Sequence, residues 1–215
     1  MYGIITTEGK VIIPPKYKTL DPLADKFDDD EFRNKHLFLA DGKLINVNDS
    51  VLIGEYNSII PIFYNHSKLL VSKNKKWGVI DVRNNILLPI EYDEISNWVE
   101  YGPRKKHFVL KNGKKGLIEY DTFKTIIPPI YNQFIHRMGL VFVSKDNKFG
   151  ILDTNNKIIC PFIYDDIMPS SLFGFGSKGE NNEIFARKGK QYYQIDETGK
   201  ILKENTRKEF DEKTK

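Results

Sequence analysis

The sequence predicts an all-β fold of about five to six three-stranded antiparallel repeat units. Three observations predict it. A pattern of glycine, apolar run, polar turn, second apolar run and tyrosine recurs along the 215 residues. Short apolar runs alternate with turns rich in Asn, Asp, Gly and Lys. No long segment shows the 3.6-residue period of an amphipathic helix. A repeat of this kind must be recognised first, because it dictates the whole architecture.

The copies begin at Tyr2, Trp77, Lys115 and Phe149, with a weaker one at Asp41 and a decayed one at Tyr192. Gly3, Gly42, Gly78 and Gly150 each precede a tyrosine (Tyr17, Tyr56, Tyr92, Tyr164) by 14 residues, and Gly116 precedes Tyr131 by 15. A proline lies three residues before four of those tyrosines, as Pro14, Pro89, Pro128 and Pro161; Ile53 holds that slot in the second copy. Three residues after each tyrosine comes an apolar residue: Leu20, Ile59, Ile95, Phe134 and Ile167. The Gly42 match has a second reading, because Asp41-Gly42 is also a good hairpin turn.

Within a unit the elements follow in order. Leu69–Val71, His107–Leu110, Leu140–Val143 and Glu183–Ala186 read as first strands, each followed by a lysine-rich turn such as Lys73-Asn74-Lys75-Lys76. Val79–Asp81 and Ile86–Pro89 then flank the polar turn at Val82–Asn85, where Asn tolerates positive φ at little cost. The proline lacks an N–H and is expected to end or bend the second of these strands. The glycine leaves room for a neighbouring backbone or ring, and the tyrosine supplies an apolar body with a polar tip. A lone three-stranded sheet cannot cover its own apolar face, so adjacent units must cover one another. Residues 1–202 form one repeat domain on this reading, and residues 203–215 a polar tail that is helical at most briefly and expected to fray.

Lys76-Trp77-Gly78-Val79-Ile80-Asp81 and Pro89-Ile90-Glu91-Tyr92-Asp93 resemble the signature of the WG-repeat (KWG-repeat) family of bacterial proteins. The resemblance runs from Tyr2 to about Leu202, although only one copy carries a literal Trp-Gly. It speaks to architecture, since the repeated residues look structural. The chain begins with the last strands of one unit and ends with the first strands of another, an offset that favours a propeller-like arrangement. The alternative is an open β-repeat solenoid capped by its charged tail.

Charge and composition exclude several classes. With 33 basic and 29 acidic residues the formal charge is +4, weak for a nucleic-acid binder, although Arg104 to Lys115 form a basic stretch without an acid. No apolar run is long enough to span a bilayer, and the start Met1–Thr6 has neither a basic nor a long apolar leader region, so a cytoplasmic chain is expected. The single Cys160 allows no internal disulfide, and its apolar slot marks it as a core residue. His36, His66, His107 and His136 lie in no metal-binding or catalytic spacing and read as solvated or half-buried. Asp81, Glu119, Asp153 and Asp196 recur at the start of polar turns, which favours a capping role over paired acid–base work. No catalytic residue, metal or cofactor is therefore expected.

What remains is the long loops at 21–35, 96–106 and 169–182, the usual home of recognition on a rigid scaffold. Asp28, Asp29, Asp30 and Glu31 form an acidic cluster suited to a basic partner. Trp98 and Tyr101 are aromatics of the kind that anchor interfaces. The expectation is a non-enzymatic protein-binding module. Its resemblance to WG-repeat proteins of bacterial toxin–immunity loci implies an immunity protein that occludes a basic toxin domain. The alternatives are a carboxylate-dependent hydrolase and a glycan or cell-envelope binding module.

Overall fold

The computed structural model describes residues 1–23, 36–62, 65–96, 106–137, 139–169 and 183–214, with the side chains of residues 65 and 66 excepted. Among them are 22 strands and one short helix. β1 (Tyr2–Ile5) and β2 (Val11–Tyr17) form a two-stranded sheet. Five four-stranded antiparallel meanders follow. The first is β3 (Leu20–Pro22), β4 (Phe38–Ala40), β5 (Lys43–Ile45) and β6 (Val51–Ile53). The second is β7 (Ser58–Ile62), β8 (Asn65–Lys73), β9 (Lys76–Asp81) and β10 (Ile86–Tyr92). The third is β11 (Glu94–Ile95), β12 (Lys106–Lys111), β13 (Lys114–Glu119) and β14 (Thr125–Tyr131). The fourth is β15 (Phe134–Arg137), β16 (Leu140–Lys145), β17 (Lys148–Asp153) and β18 (Ile158–Tyr164). The fifth is β19 (Asp166–Pro169), β20 (Ile184–Lys188), β21 (Gln191–Ile195) and β22 (Ile201–Asn205), and the helix is α1 (Arg207–Lys213).

The fold is all-β as expected, and each unit carries one strand more than the sequence pattern predicts. The added strand holds the apolar residue that follows each tyrosine. Leu20 pairs with Ala40, Ile59 with Val71, Ile95 with Val109, Phe134 with Val143 and Ile167 with Ala186. This strand is as short as two residues in β11, too short for alternation to declare it. The fifth sheet takes its fourth strand, β22, from its own segment.

The signature residues now have physical reasons. A Cβ on Gly78 would lie 2.7 Å from Leu88 O and 2.8 Å from Ile90 Cα. One on Gly116 would lie 2.5 Å from Ile127 O, and one on Gly150 2.8 Å from Cys160 O; Gly3 meets Ile13 O in the same way. Each glycine thus faces the carbonyl of the residue before the proline, where the outer strand bulges in and its register shifts. The proline does not end the strand. β10 runs on to Tyr92, and because it lies at the sheet edge the missing N–H breaks no interior ladder. The ammonium of Lys76 pairs with Asp93, and that of Lys148 with Asp165 at 2.5 Å, while Lys114 Nζ donates to Asn132 Oδ1 at 2.6 Å. The lysine two residues before the signature glycine and the polar residue after the tyrosine therefore form one tie.

The second copy departs from the expected register. Leu20 pairs with Ala40 as Ile59 pairs with Val71, and Ala40 pairs with Lys43 as Val71 pairs with Gly78. Lys43 therefore holds the signature-glycine position, and Gly42, at φ +77, is the hairpin turn. Ile53 pairs with Leu44 as Leu88 pairs with Val79, so it fills the buried slot before the proline rather than the proline slot. Gly54 follows it, where a Cβ would lie 3.0 Å from Val51 Cγ1 and at ordinary contact distance, 3.6 Å, from Lys43 Cδ.

By compactness the chain divides into two units, Met1–Asn112 with Ile118–Lys124, and Gly113–Leu117 with Thr125–Lys215. The first unit packs Leu23, Leu44, Ile59, Leu69 and Ile80 in one cluster and Leu70, Val79, Tyr92, Val109 and Ile118 in another. The second packs Leu117, Ile127, Tyr131, Val141 and Leu152 together, and Phe142, Ile151, Cys160, Tyr164 and Ile184 together. Each fully buried aliphatic side chain contributes on the order of 1.5–3 kcal/mol.

The tail expected to fray is ordered as strand and helix. Thr206 caps α1: its hydroxyl accepts from Glu209 N at 3.2 Å while Glu209 Oε2 accepts from Thr206 N at 2.7 Å. Phe210 is buried against the Tyr192 ring at 5.2 Å, and Lys213 lies 3.6 Å from Glu183. A reciprocal cap and one apolar anchor hold a helix too short to persist alone.

Candidate functional site

The three long loops occupy one topological position, the connection from first to second strand of a four-stranded sheet: β3 to β4, β11 to β12 and β19 to β20. In the second and fourth sheets the same connection is short. Asp28, Asp29, Asp30, Glu31, Trp98 and Tyr101 all lie outside the described residues. Their stems are described, and they are well held. Leu23 N donates to Leu37 O at 2.8 Å, with both side chains buried. Ser96 N donates to Phe108 O at 2.9 Å and Phe108 N to Ser96 Oγ at 2.8 Å. Pro169 pairs with Ile184 at the third stem.

Beside the first stem a groove of about 330 Å³ is lined by Leu37, Val47, Leu52 and Val82 with Asn46, Asn48 and Arg83. It lies at the β5–β6 and β9–β10 turns, and the sequence reading missed it. Its only local signals are Val47, an apolar residue within a polar turn, and the exposed Leu52 on the edge strand β6.

The recurring acids are held by their own turns. Asp81 Oδ1 accepts from Arg83 N and Asn85 N at 2.9 and 2.8 Å, and Asp153 Oδ1 from Asn155 N and Lys157 N, both at 2.8 Å. Asp196 Oδ1 accepts from Thr198 N and Lys200 N, and Asn46 does the same in the second copy. The Lys157 amide holds the Asp153 carboxyl below its ordinary range, as the Thr198 hydroxyl does for Asp196. Asp81, Asp153 and Asp196 thus cap turns, as their spacing implied, whereas the Glu119 carboxylate accepts from the Thr122 hydroxyl.

Cys160 is fully buried, and desolvation pushes its thiol up to about 11, which fits a core residue. His107 departs from the expectation of a solvated or half-buried ring: it is 1% exposed, because β12 turns it inward while Phe108 faces out. Among the described residues no three potential metal ligands come together, and no helix is long and apolar enough to cross a membrane. The basic stretch is partly internalised. Lys106 is buried, and Lys111 pairs with Glu91 at 2.6 Å while lying over the Tyr92 ring.

A family comparison agrees with the repeat pattern. The family described as WG containing repeat matches residues 2–27, 77–114 and 149–171. No curated protein matches the chain. Among solved structures, the chain is similar to the WD40 domain of Neurospora crassa Pan2 (12% identity, TM-score 0.33, covering 75% of this chain and 58% of that one). A protein of unknown function from Bacteroides caccae is similar at 13% identity and TM-score 0.29, over 80% of this chain and 69% of that one. The dihydro-heme d1 dehydrogenase NirN in complex with DHE is similar at 12% identity and TM-score 0.28, over 95% of this chain and 61% of that one. With glycines pressed on pre-proline carbonyls and lysines tied to the residue after the tyrosine, the matched stretches support a WG-repeat family for this β-repeat chain.

Proposed function

We propose that this β-repeat module is a non-enzymatic protein binder that grips its partner with the long first-to-second-strand connections. One observation carries the reading. Asp81, Asp153 and Asp196 cap their own turns, and the repeated lysines are tied to the polar residue after the tyrosine, while the three long connections are where the units differ most. Recognition then falls to the loops, rooted on held stems. Asp28 to Glu31 meet a cationic surface and Trp98 and Tyr101 anchor the contact, in line with how charge steers and aromatics hold interfaces. The partner is a basic toxin domain, which the module neutralises in the cytoplasm by covering its active site. The resemblance to WG-repeat proteins of toxin–immunity loci supports that identity.

Affinity capture from the native host, read with the neighbouring reading frames, tests the partner. A co-purifying toxin-like domain from an adjacent frame is the expected result. Replacing Asp28, Asp29, Asp30 and Glu31 together by Ser is expected to weaken binding and flatten its salt dependence. Unchanged affinity at low salt would remove the acidic cluster from the interface. Hydrolytic activity lost on changing a single loop Asp or Glu would replace this reading with an enzymatic one.

A further inference from the structure

The His107 ring is almost wholly enclosed in the first compact unit, stacked on Tyr120 (centroids 5.1 Å apart) and Phe123 (5.8 Å). Its Nδ1 lies 2.6 Å from Ser96 O. A carbonyl oxygen only accepts, so Nδ1 carries the proton and Nε2 is the bare nitrogen. Nε2 is buried and has no hydrogen-bond partner. A neutral ring tolerates that; a protonated one would bury an N–H donor and a charge with nothing to receive either.

The groups facing the ring are mixed in sign. Lys68 on β8 lies 5.2 Å from the Phe123 ring centroid and bonds to Asp121 O, so a cation already stands on that side. The Asp121 carboxylate and the Ser96 carbonyl favour the charged ring, Tyr120 is neutral, and Lys106 adjoins His107 on its own strand. Burial outweighs Asp121 and Ser96, and Lys68 adds to it, so His107 is held below the ordinary imidazole range.

We infer that His107 is an acid-sensitive latch on the β11–β12 hairpin: a proton taken from solvent by Nε2 expels the ring from between Tyr120 and Phe123 and frees Ser96 from its strand partner. The hairpin is suited to this. β11 is two residues long, and beyond the Ile95–Val109 pair it is held at Ser96 by the bonds to Phe108 and to His107 itself. The open form binds the proton with ordinary affinity and the closed form with less, so the opening equilibrium rises as pH falls below about 6.5, by up to tenfold per pH unit. Above that pH it is flat. Trp98 and Tyr101 lie between Ser96 and His107 in sequence, so partner affinity falls with the same profile; that consequence rests on the proposed function, and the latch does not.

Amide hydrogen exchange of the intact chain from pH 8 to pH 5, corrected for intrinsic rates, reads the latch at Ser96, Phe108 and Val109. The expected result is opening that grows by up to tenfold per unit below about pH 6.5. His107→Phe, which fills the aromatic slot and takes no proton, is expected to be flat. Equal opening at pH 5 and pH 7.5 in the unaltered chain overturns the latch, as does a wild-type rise retained in the Phe variant. Should that variant fail to fold, Lys68→Met serves: removing the neighbouring cation eases protonation of the closed form and makes the rise shallower, and an undiminished rise overturns the assignment. Exchange that rises in acid while partner affinity stays constant leaves the latch intact and counts against the partner site alone.

Discussion

The hydroxyl of Tyr56 donates to Asn84 Oδ1 at 2.9 Å, reaching from one repeat unit to the tip of the next unit's polar turn. Asn84 stands there at φ +68. The same contact recurs: Tyr17 donates to Asp49, at φ +63, and Tyr164 donates to Gly199 O at 2.9 Å, with Gly199 at φ +84. The tyrosine and the left-handed turn residue are thus two ends of one tether between consecutive units. In all three the accepting residue stands at positive φ in the turn.

Tyr56→Phe keeps the ring and removes the tether, and is expected to lower stability by about 1 kcal/mol, the usual worth of one such hydrogen bond. Urea denaturation reads the change as a lower midpoint at unchanged slope. No loss would mean that solvent replaces the bond at no cost.

Two glycines separate crowding from conformation. Gly78 has no room for a Cβ, whereas Gly9, at φ +84, has open space around it. Gly78→Ala is expected to cost about 3 kcal/mol because backbone must move. Gly9→Ala meets only the left-handed penalty, about 1 kcal/mol. Thermal unfolding of the two variants should rank them in that order.

The C-terminal helix is expected to loosen in acid. The Thr206 amide and hydroxyl, with Lys203, hold the Glu209 carboxyl down to about 2, against 4.5 for the free group. A carboxylate depressed by folding stabilises above its unfolded value and stops doing so as pH falls through the folded one. Helical signal and Phe210 burial should therefore decline between about pH 4.5 and 2. Glu209→Gln should remove that dependence and begin from a less helical state.

Cys160 is fully buried, and its thiol is held near 11. A thiol reagent at pH 8 is expected to leave it untouched in the native chain and to modify it once the protein is unfolded. Rapid native labelling would show that the fifth sheet opens readily beside Gly199, whose missing Cβ makes room for the sulfur.

How much was legible in the sequence follows from the range of each interaction. Strand periodicity, lysine-rich hairpins with positive φ at Asn74, Asn112 and Asn147, and acids capping their own turns are local, so spacing alone determined them. The candidate loops were legible for the same reason, as the stretches where the repeat pattern lapses. The short post-tyrosine strand, the displaced register of the second copy, the groove beside Leu37 and the enclosure of His107 were not. Each depends on which residue comes to lie opposite which across the sheet or the core, and partners tens of residues apart set that through burial and backbone pairing. The chain's own pattern decided that it builds β-repeats; the packing of one unit on the next decided where an imidazole, a thiol and a phenol could be shut away from water.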